Sequence, residues 1–338
     1  MCVRGRSKRS EASSGGVLAV DRSARAPLPS RAMVELNRAT FERLVDALNG
    51  VFGRHEGVRA AHAHGTCVHG TFTGTPDAKR LTRAPHMQGD PIPVTVRFSN
   101  GTGNPMHPDR RKDGRGIAVK FHLPNGKQTD MVGITLPLFF VKTVDDFLEL
   151  QDALALDPAT GKPDPAKPFA FAQAHPESVP AFQALLSFEP PASYAQLLYR
   201  GLHAFKYVNA GGEERFIRYR WVPEAGVVFL SDEEAKAMPE RYLTDELASR
   251  TKEGPVVFTL NVQIAAADDP TDDPTVPWPD DREDVVVGRL ELNEITDDCD
   301  EMLFDPTFLV DGIEVSDDEI LRARSGAYAV SFKRRRKR

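Results

Sequence analysis

Five stretches of β-branched and aromatic residues constrain this chain most: Val94–Ser99, Ile117–Leu123, Phe216–Val222, Val256–Ile264 and Val285–Leu292. Each has the length and composition of a strand, and several alternate polar with apolar residues at period two. Asn209-Ala-Gly-Gly212 lies between Ala204–Val208 and Phe216–Val222, where it supplies a hairpin turn. Strands and helices come in separate runs with no βαβ alternation, so the class expected is α+β. Such strands suit a closed antiparallel β-barrel with helices around it.

The helical patterns flank and interrupt those strands. Leu36, Phe41, Leu44, Val45, Leu48, Val51 and Phe52 recur at helical spacing and predict an amphipathic arm over residues 33–55. Further helices are expected at Thr143–Leu156, where Thr143 and Asp146 can cap, at Val179–Phe188, at Tyr194–Leu202, and at Ser231–Arg250 with a break at Pro239. Asp157–Pro168 and Asp268–Asp281, rich in Pro and Asp, read as surface connections. Residues 1–32 offer Arg, Ser, Gly and Ala with little to bury and read as a disordered leader. Residues 33–338 then form one domain, its barrel spanning about 56–300.

Composition narrows the function classes. A net charge of −6 argues against a general nucleic-acid binder, and the basic runs Arg4–Arg9 and Lys333–Arg338 read as solvated tails. Cys2, Cys67 and Cys299 make no even framework, which points to a reducing compartment, the cytoplasm. Cys67 by itself reads as a small buried apolar residue. No apolar run is long enough to span a membrane, and the basic N-terminus lacks the apolar stretch of a signal peptide.

The segment Ser316–Tyr328 carries the first chemical signal. Ser316 with Glu319 three residues on is a capping-box pattern, and Asp317 and Asp318 suit the positive end of a helix, expected over about 316–330. On it Arg324 and Tyr328 share a face, so the guanidinium can lie beside the phenol oxygen. A free phenol ionises near ~10, and a phenolate at pH 7 requires a shift of roughly three units, about 4 kcal/mol, which a cation and a ferric ion together can supply. Tyrosinate is one of the few axial ligands that proteins offer to haem iron. Taken alone the pair is also what any helix face shows.

The second signal is Arg59-Ala-Ala-His-Ala-His-Gly-Thr-Cys-Val-His-Gly-Thr-Phe72. It resembles the distal-histidine segment of haem catalases, and the resemblance continues in order. Val96-Arg-Phe-Ser99, Asp113-Gly-Arg-Gly-Ile-Ala-Val-Lys-Phe121, Asp130-Met-Val-Gly133 with Pro137-Leu-Phe-Phe140, and Phe304-Asp-Pro306 running through Gly312 to Tyr328 all resemble segments of that family. Together they cover roughly residues 56–330. The resemblance implies a catalase-type barrel holding haem b. It implies Tyr328 as the iron ligand, Arg324 as stabiliser of its phenolate, His62 as distal base and Ser99 as the holder of the other imidazole nitrogen. It further implies Arg59, Arg97 and Arg335 as propionate partners, and Phe139, Phe140 and Phe147 as a lining that excludes bulk water.

The departures count as well. Where typical members of the family carry a distal asparagine the sequence offers Thr135, a shorter side chain that cannot donate from the same place, so efficient dismutation of peroxide is in doubt. The chain also ends ten residues past Tyr328. The nearest resemblance is thus to small catalase-related peroxidases, acting on hydrogen peroxide or an organic hydroperoxide with an unidentified small-molecule reductant; a homo-oligomer is compatible with it. The alternatives are true catalase activity, rearrangement of hydroperoxides of the allene oxide synthase type, or a barrel that merely binds haem. A zinc or copper cluster of His62, His64, Cys67 and His69 is a further rival, but an extended chain puts the first two and the last two on opposite faces.

Overall fold

The computed structural model describes residues 35–124 and 126–336. The expected leader lies outside them. Ten strands form one antiparallel sheet: β1 (Gly65–Gly74), β2 (Ile92–Asn100), β3 (Arg115–His122), β4 (Gln128–Ile134), β5 (Tyr199–Arg200), β6 (Phe205–Val208), β7 (Glu214–Pro223), β8 (Val256–Ile264), β9 (Asp284–Thr296) and β10 (Ile313–Val315). Because β7 pairs with both β5 and β8, eight strands close in the order β1-β2-β3-β4-β5-β7-β8-β9, with β6 and β10 extending from β7. Closure removes the exposed edge that would template aggregation. Register shifts at His69/Gly70 and Leu260/Asn261 add the local twist that closing the ring requires. Four of the five strands expected from composition fall inside these elements and the fifth, Ile117–Leu123, overruns β3 by one residue; β6 and β7 form the expected hairpin.

The barrel interior is packed with rings. Phe72 stands edge-on to Phe121 and Trp221, with centroids 5.1 and 6.0 Å apart, and all three are fully buried. Such edge-to-face pairs contribute about 0.5–1.5 kcal/mol beyond the area they bury.

The helices are α1 (Arg38–Phe52), α2 (Pro76–Leu81), α3 (Val144–Leu154), α4 (Ala166–Ala174), α5 (Val179–Leu186), α6 (Asp232–Ala237), α7 (Tyr242–Glu253) and α8 (Glu319–Arg335). The Thr143 side chain accepts from the Asp146 amide, as the cap pattern predicts. α1, α3 and α8 pack on one another outside the barrel. Gly326 permits the α1–α8 contact, since a Cβ there would lie 2.2 Å from the Phe41 ring.

Four local expectations fail. Tyr194–Leu202 is a short 3-10 turn running into β5, because Tyr194 and Tyr199 are drawn into the core, where their hydroxyls donate to Asn100 Oδ1 and to the Tyr194 carbonyl. No helix is expected between the surface connection, which is exposed over residues 157–167, and Val179, yet α4 forms there and buries Phe171. Asp318, not Ser316, caps α8, accepting from the Leu321 amide at 3.0 Å; Glu319 instead accepts from the Val144 amide at 2.8 Å. Finally, Cys67 and Cys299 are joined in a disulfide between β1 and the turn after β9, so the cysteines are not an uncoupled set.

Candidate active site

α8 is the element on which the site is built. Arg324 Nη2 donates to the Tyr328 phenol oxygen at 2.5 Å, and the guanidinium lies 5.3 Å from the ring centre. Burial opposes the charge on Arg324, but the facing Tyr328, with Tyr219 and Asp318, offsets this and holds its pKa above the ordinary value. Sequence reasoning missed what stands beside this pair. Asp318 uses one carboxylate oxygen to cap α8 and the other to hold His203 Nδ1 at 2.6 Å, with both side chains buried. Burial pulls the His203 ring below its ordinary pKa, against the pull of Asp318, and its Nε2 is buried without a hydrogen-bond partner. Asp318 was visible in sequence only as a helix-start acid, and nothing local pointed to His203.

Further support comes from the loop before β10. Ser325 Oγ donates to Asp305 Oδ2 at 2.7 Å, and the Asp305 amide donates to Asp130 Oδ2 at 2.8 Å. Lys120 Nζ completes the chain by donating to Asp130 at 2.6 Å. The barrel wall is thereby tied to the helix that carries Tyr328.

His62 sits on the other side of the cluster. It is the one non-glycine among the described residues with positive φ, at 56°, a left-handed backbone that aims its ring. Nδ1 lies 3.0 Å from Ser99 Oγ. The floor under the ring is Gly116, where a Cβ would come within 2.8 Å of both His62 Nδ1 and Ser99 Oγ. Ser99 pairs with Gly116 across β2–β3, and Gly116 with Ile134 across β3–β4, so these three occupy one row on one face of the wall. Ile134 is therefore the β4 residue beside His62. Thr135 lies outside that row: its hydroxyl accepts from the Arg115 amide at 2.9 Å. The parity of β4 gives the signal that could have found Ile134, since Val132 and Ile134 share a face that residue 135 leaves.

Burial pushes His62 down to about 3, reinforced by the charges of Arg97, Arg324 and Arg59, so the ring is neutral. Those charges bring the two halves into one site, and the Ala60 amide donates to Ser331 Oγ of α8 at 3.3 Å.

Arg59, Arg97 and Arg335 lie close enough for their charges to act on one another. Burial lowers Arg97 to about 9, with Arg59 adding repulsion, and lowers Arg335 to about 10, again with Arg59. The carboxylate nearest them is Asp300, 3.4 Å from Arg59 and 3.9 Å from Arg97. Arg59 and Arg335 both donate to the Met302 carbonyl, and Arg97 to the carbonyls of His62 and Ala63. Arg97 Nε remains buried without a hydrogen-bond partner. Such a cluster calls for a polyanion. Phe139 stacks on Phe147 at 6.1 Å and meets Phe140 edge-on at 6.2 Å, all three partly buried. His64 and His69 do not join His62 as ligands: they face Asp109 and Asp298, at 4.0 and 2.9 Å. These residues fit a haem: Tyr328 would hold its iron, and Arg59, Arg97 and Arg335, with Asp300 the one carboxylate near Arg59 and Arg97 among the described residues, would meet its propionates.

Fold and site together define a closed-barrel protein in which an oriented, neutral histidine feels the charge of the arginine that holds a tyrosine. The profile of the Catalase family matches residues 52–336, and the chain belongs to that family. It is 39% identical over 300 residues to a catalase-related peroxidase of Synechococcus elongatus, covering 88% of each chain. With a catalase-related peroxidase of Mycolicibacterium paratuberculosis the identity is 40% over 301 residues, covering 88% of this chain and 95% of the relative. Among solved structures, catalase A from Saccharomyces cerevisiae superposes with a TM-score of 0.77 at 24% identity, covering 87% of this chain but 64% of that one.

Proposed function

We propose that the chain is a haem-dependent peroxidase that reduces hydrogen peroxide or an organic hydroperoxide with an external small-molecule donor, in defence against peroxide. The observation that carries this is the neutral, oriented imidazole of His62 in one cluster with Tyr328 and its arginine. The chain's 39% and 40% identity with two catalase-related peroxidases supports it. The haem of this proposal is of the b type; Cys67 and Cys299, joined to each other, offer no thiol for a covalent link to it.

When bound, the haem supplies the iron at which the O–O bond is broken. Ser99 holds the Nδ1 side of His62, which leaves Nε2 to take the proton from one peroxide oxygen and return it to the departing one. Arg324 balances the negative charge of the Tyr328 oxygen, and the His203–Asp318 pair holds its surroundings in place. Phe139, Phe140 and Phe147 keep water from the site. Ile134 is apolar and offers no hydrogen bond to a second peroxide, so dismutation is weak. A cytoplasmic location belongs to the same proposal, with peroxide itself the oxidant that closes the buried thiol pair.

Mixing haem-loaded protein with hydrogen peroxide and with a lipid hydroperoxide tests the reading. Oxidation of an added dye with little oxygen release supports it. Vigorous oxygen release, an isomerised lipid, or no reaction would each replace it with one of the rival activities.

A further inference from the structure

Beside the end of β4, on the side that Thr135 lines, the surface opens into a cleft of about 310 Å³, at the small end of ligand-sized cavities. Its walls are largely apolar, with Phe188, Leu197 and Leu198 meeting a lip of Val227 and Phe229, the latter 46% exposed. Half-buried in this wall is Arg200. Its one hydrogen bond runs from Nη1 to the Thr135 carbonyl at 3.2 Å, and it has no ion-pair partner among the described residues.

The neighbouring charges are spoken for. Asp113 pairs with Arg115, Lys112 bridges Glu189 and Asp232 at 3.0 and 2.9 Å, and Arg220, across the strand from Arg200, pairs with Asp284. Asp280 acts on Arg200 only at longer range. An arginine with several free N–H groups in an apolar wall has a strong electrostatic claim on an anion, and its planar fork matches a carboxylate.

We propose that this cleft binds a small organic carboxylate, its anionic end on Arg200 and its apolar body against Phe188, Leu197 and Phe229. The volume suits a single ring or a short chain of about ten heavy atoms. Because Arg200 grips the carbonyl of the residue after Ile134, the ligand sits across the end of β4 from the row under His62. Its service as electron donor rests on the proposed peroxidase activity; its binding does not.

The test is calorimetric titration of the haem-loaded full chain at pH 7 with 4-hydroxybenzoate and with its uncharged counterpart, 4-hydroxybenzyl alcohol. The acid is expected to bind at least about tenfold more tightly, and the preference to shrink to within about twofold in Arg200→Gln. The haem absorption bands should not move on binding, which separates the cleft from ligation at iron. Equal affinity for acid and alcohol, a preference that survives Arg200→Gln, or a shifted haem band overturns the proposal. Should Arg200→Gln fail to fold, Phe229→Ala decides: it must weaken the acid severalfold, and unchanged affinity overturns the assignment. Calorimetry reads binding whether or not the protein turns over peroxide, so failure of the peroxidase reading leaves this result interpretable.

Discussion

Asp318 and His203 are 115 residues apart in sequence and 2.6 Å apart in space, and the carboxylate that joins them also starts the helix bearing Tyr328. One side chain thus fixes both where α8 begins and what stands beside Arg324. Asp318→Ala removes the cap, worth about 1 kcal/mol, and leaves both His203 nitrogens buried without partners, worth about 1–3 kcal/mol more. Urea denaturation should show a loss of about 2–4 kcal/mol in total. Asp318→Asn keeps a cap acceptor and should lose less. If the alanine variant is as stable as the parent, the double role is wrong.

Tyr328→Phe keeps the ring and removes the oxygen that receives the Arg324 hydrogen bond. Haem should still enter the arginine-lined site, and its absorption spectrum should change because the oxygen proposed to hold the iron is gone. Far-UV circular dichroism should not change. A variant with the parent spectrum would exclude Tyr328 as ligand.

His62→Ala should retain haem while peroxide activation falls by about a hundredfold or more, the loss expected for a positioned acid-base group. The ring's pKa is lowered from 6.5 to about 3, so it stays neutral and the rate should be level from pH 7 to about pH 4. Stability follows the opposite course. The unfolded chain takes up the proton first, so His62, like His86 with its similar shift to about 3, makes folding less favourable as pH falls from about 6.5 towards 3. A rate that declines with a midpoint near 6.5 would contradict this account.

Ile134→Asn places an amide in the row beside His62 and should raise oxygen release relative to dye oxidation. Thr135→Val should leave that ratio alone and instead cost about 1–3 kcal/mol of stability, since it orphans the buried Arg115 amide. The reverse outcome would return the distal role to Thr135.

Reducing the Cys67–Cys299 bridge opens a loop of 232 residues. The loop-entropy account puts the cost at about 5 kcal/mol, and thermal melts with and without reductant measure it. Because Arg59 donates to the Cys299 carbonyl, the reduced protein should also release haem faster. Equal melting temperatures and haem release would show that the bridge is idle.

What was legible in the sequence was what is local. Strand alternation marked β2, β3, β7, β8 and β9, and four-residue spacing put Arg324 beside Tyr328. β1 escaped because Gly65, Gly70 and Gly74 dilute its strand composition, and β5 because a strand of two residues has no period to detect. The mistaken cap at Ser316 is a choice among three adjacent polar residues that only packing decides. The His203–Asp318 pair and the disulfide depend on contacts between segments far apart in the chain, for which no local pattern exists. Counting along a motif suggested Thr135, whereas counting strand parity leads to Ile134.

The left-handed backbone at His62 has a consequence for how this protein can change. At φ 56° a β-branched residue is strongly disfavoured, while asparagine, aspartate and glycine rest there more easily. Random replacement at this codon should therefore cost the fold least with those three, none of which has an imidazole's basicity. The mutational exits from this position are few, and each one abandons the base before it disturbs the barrel.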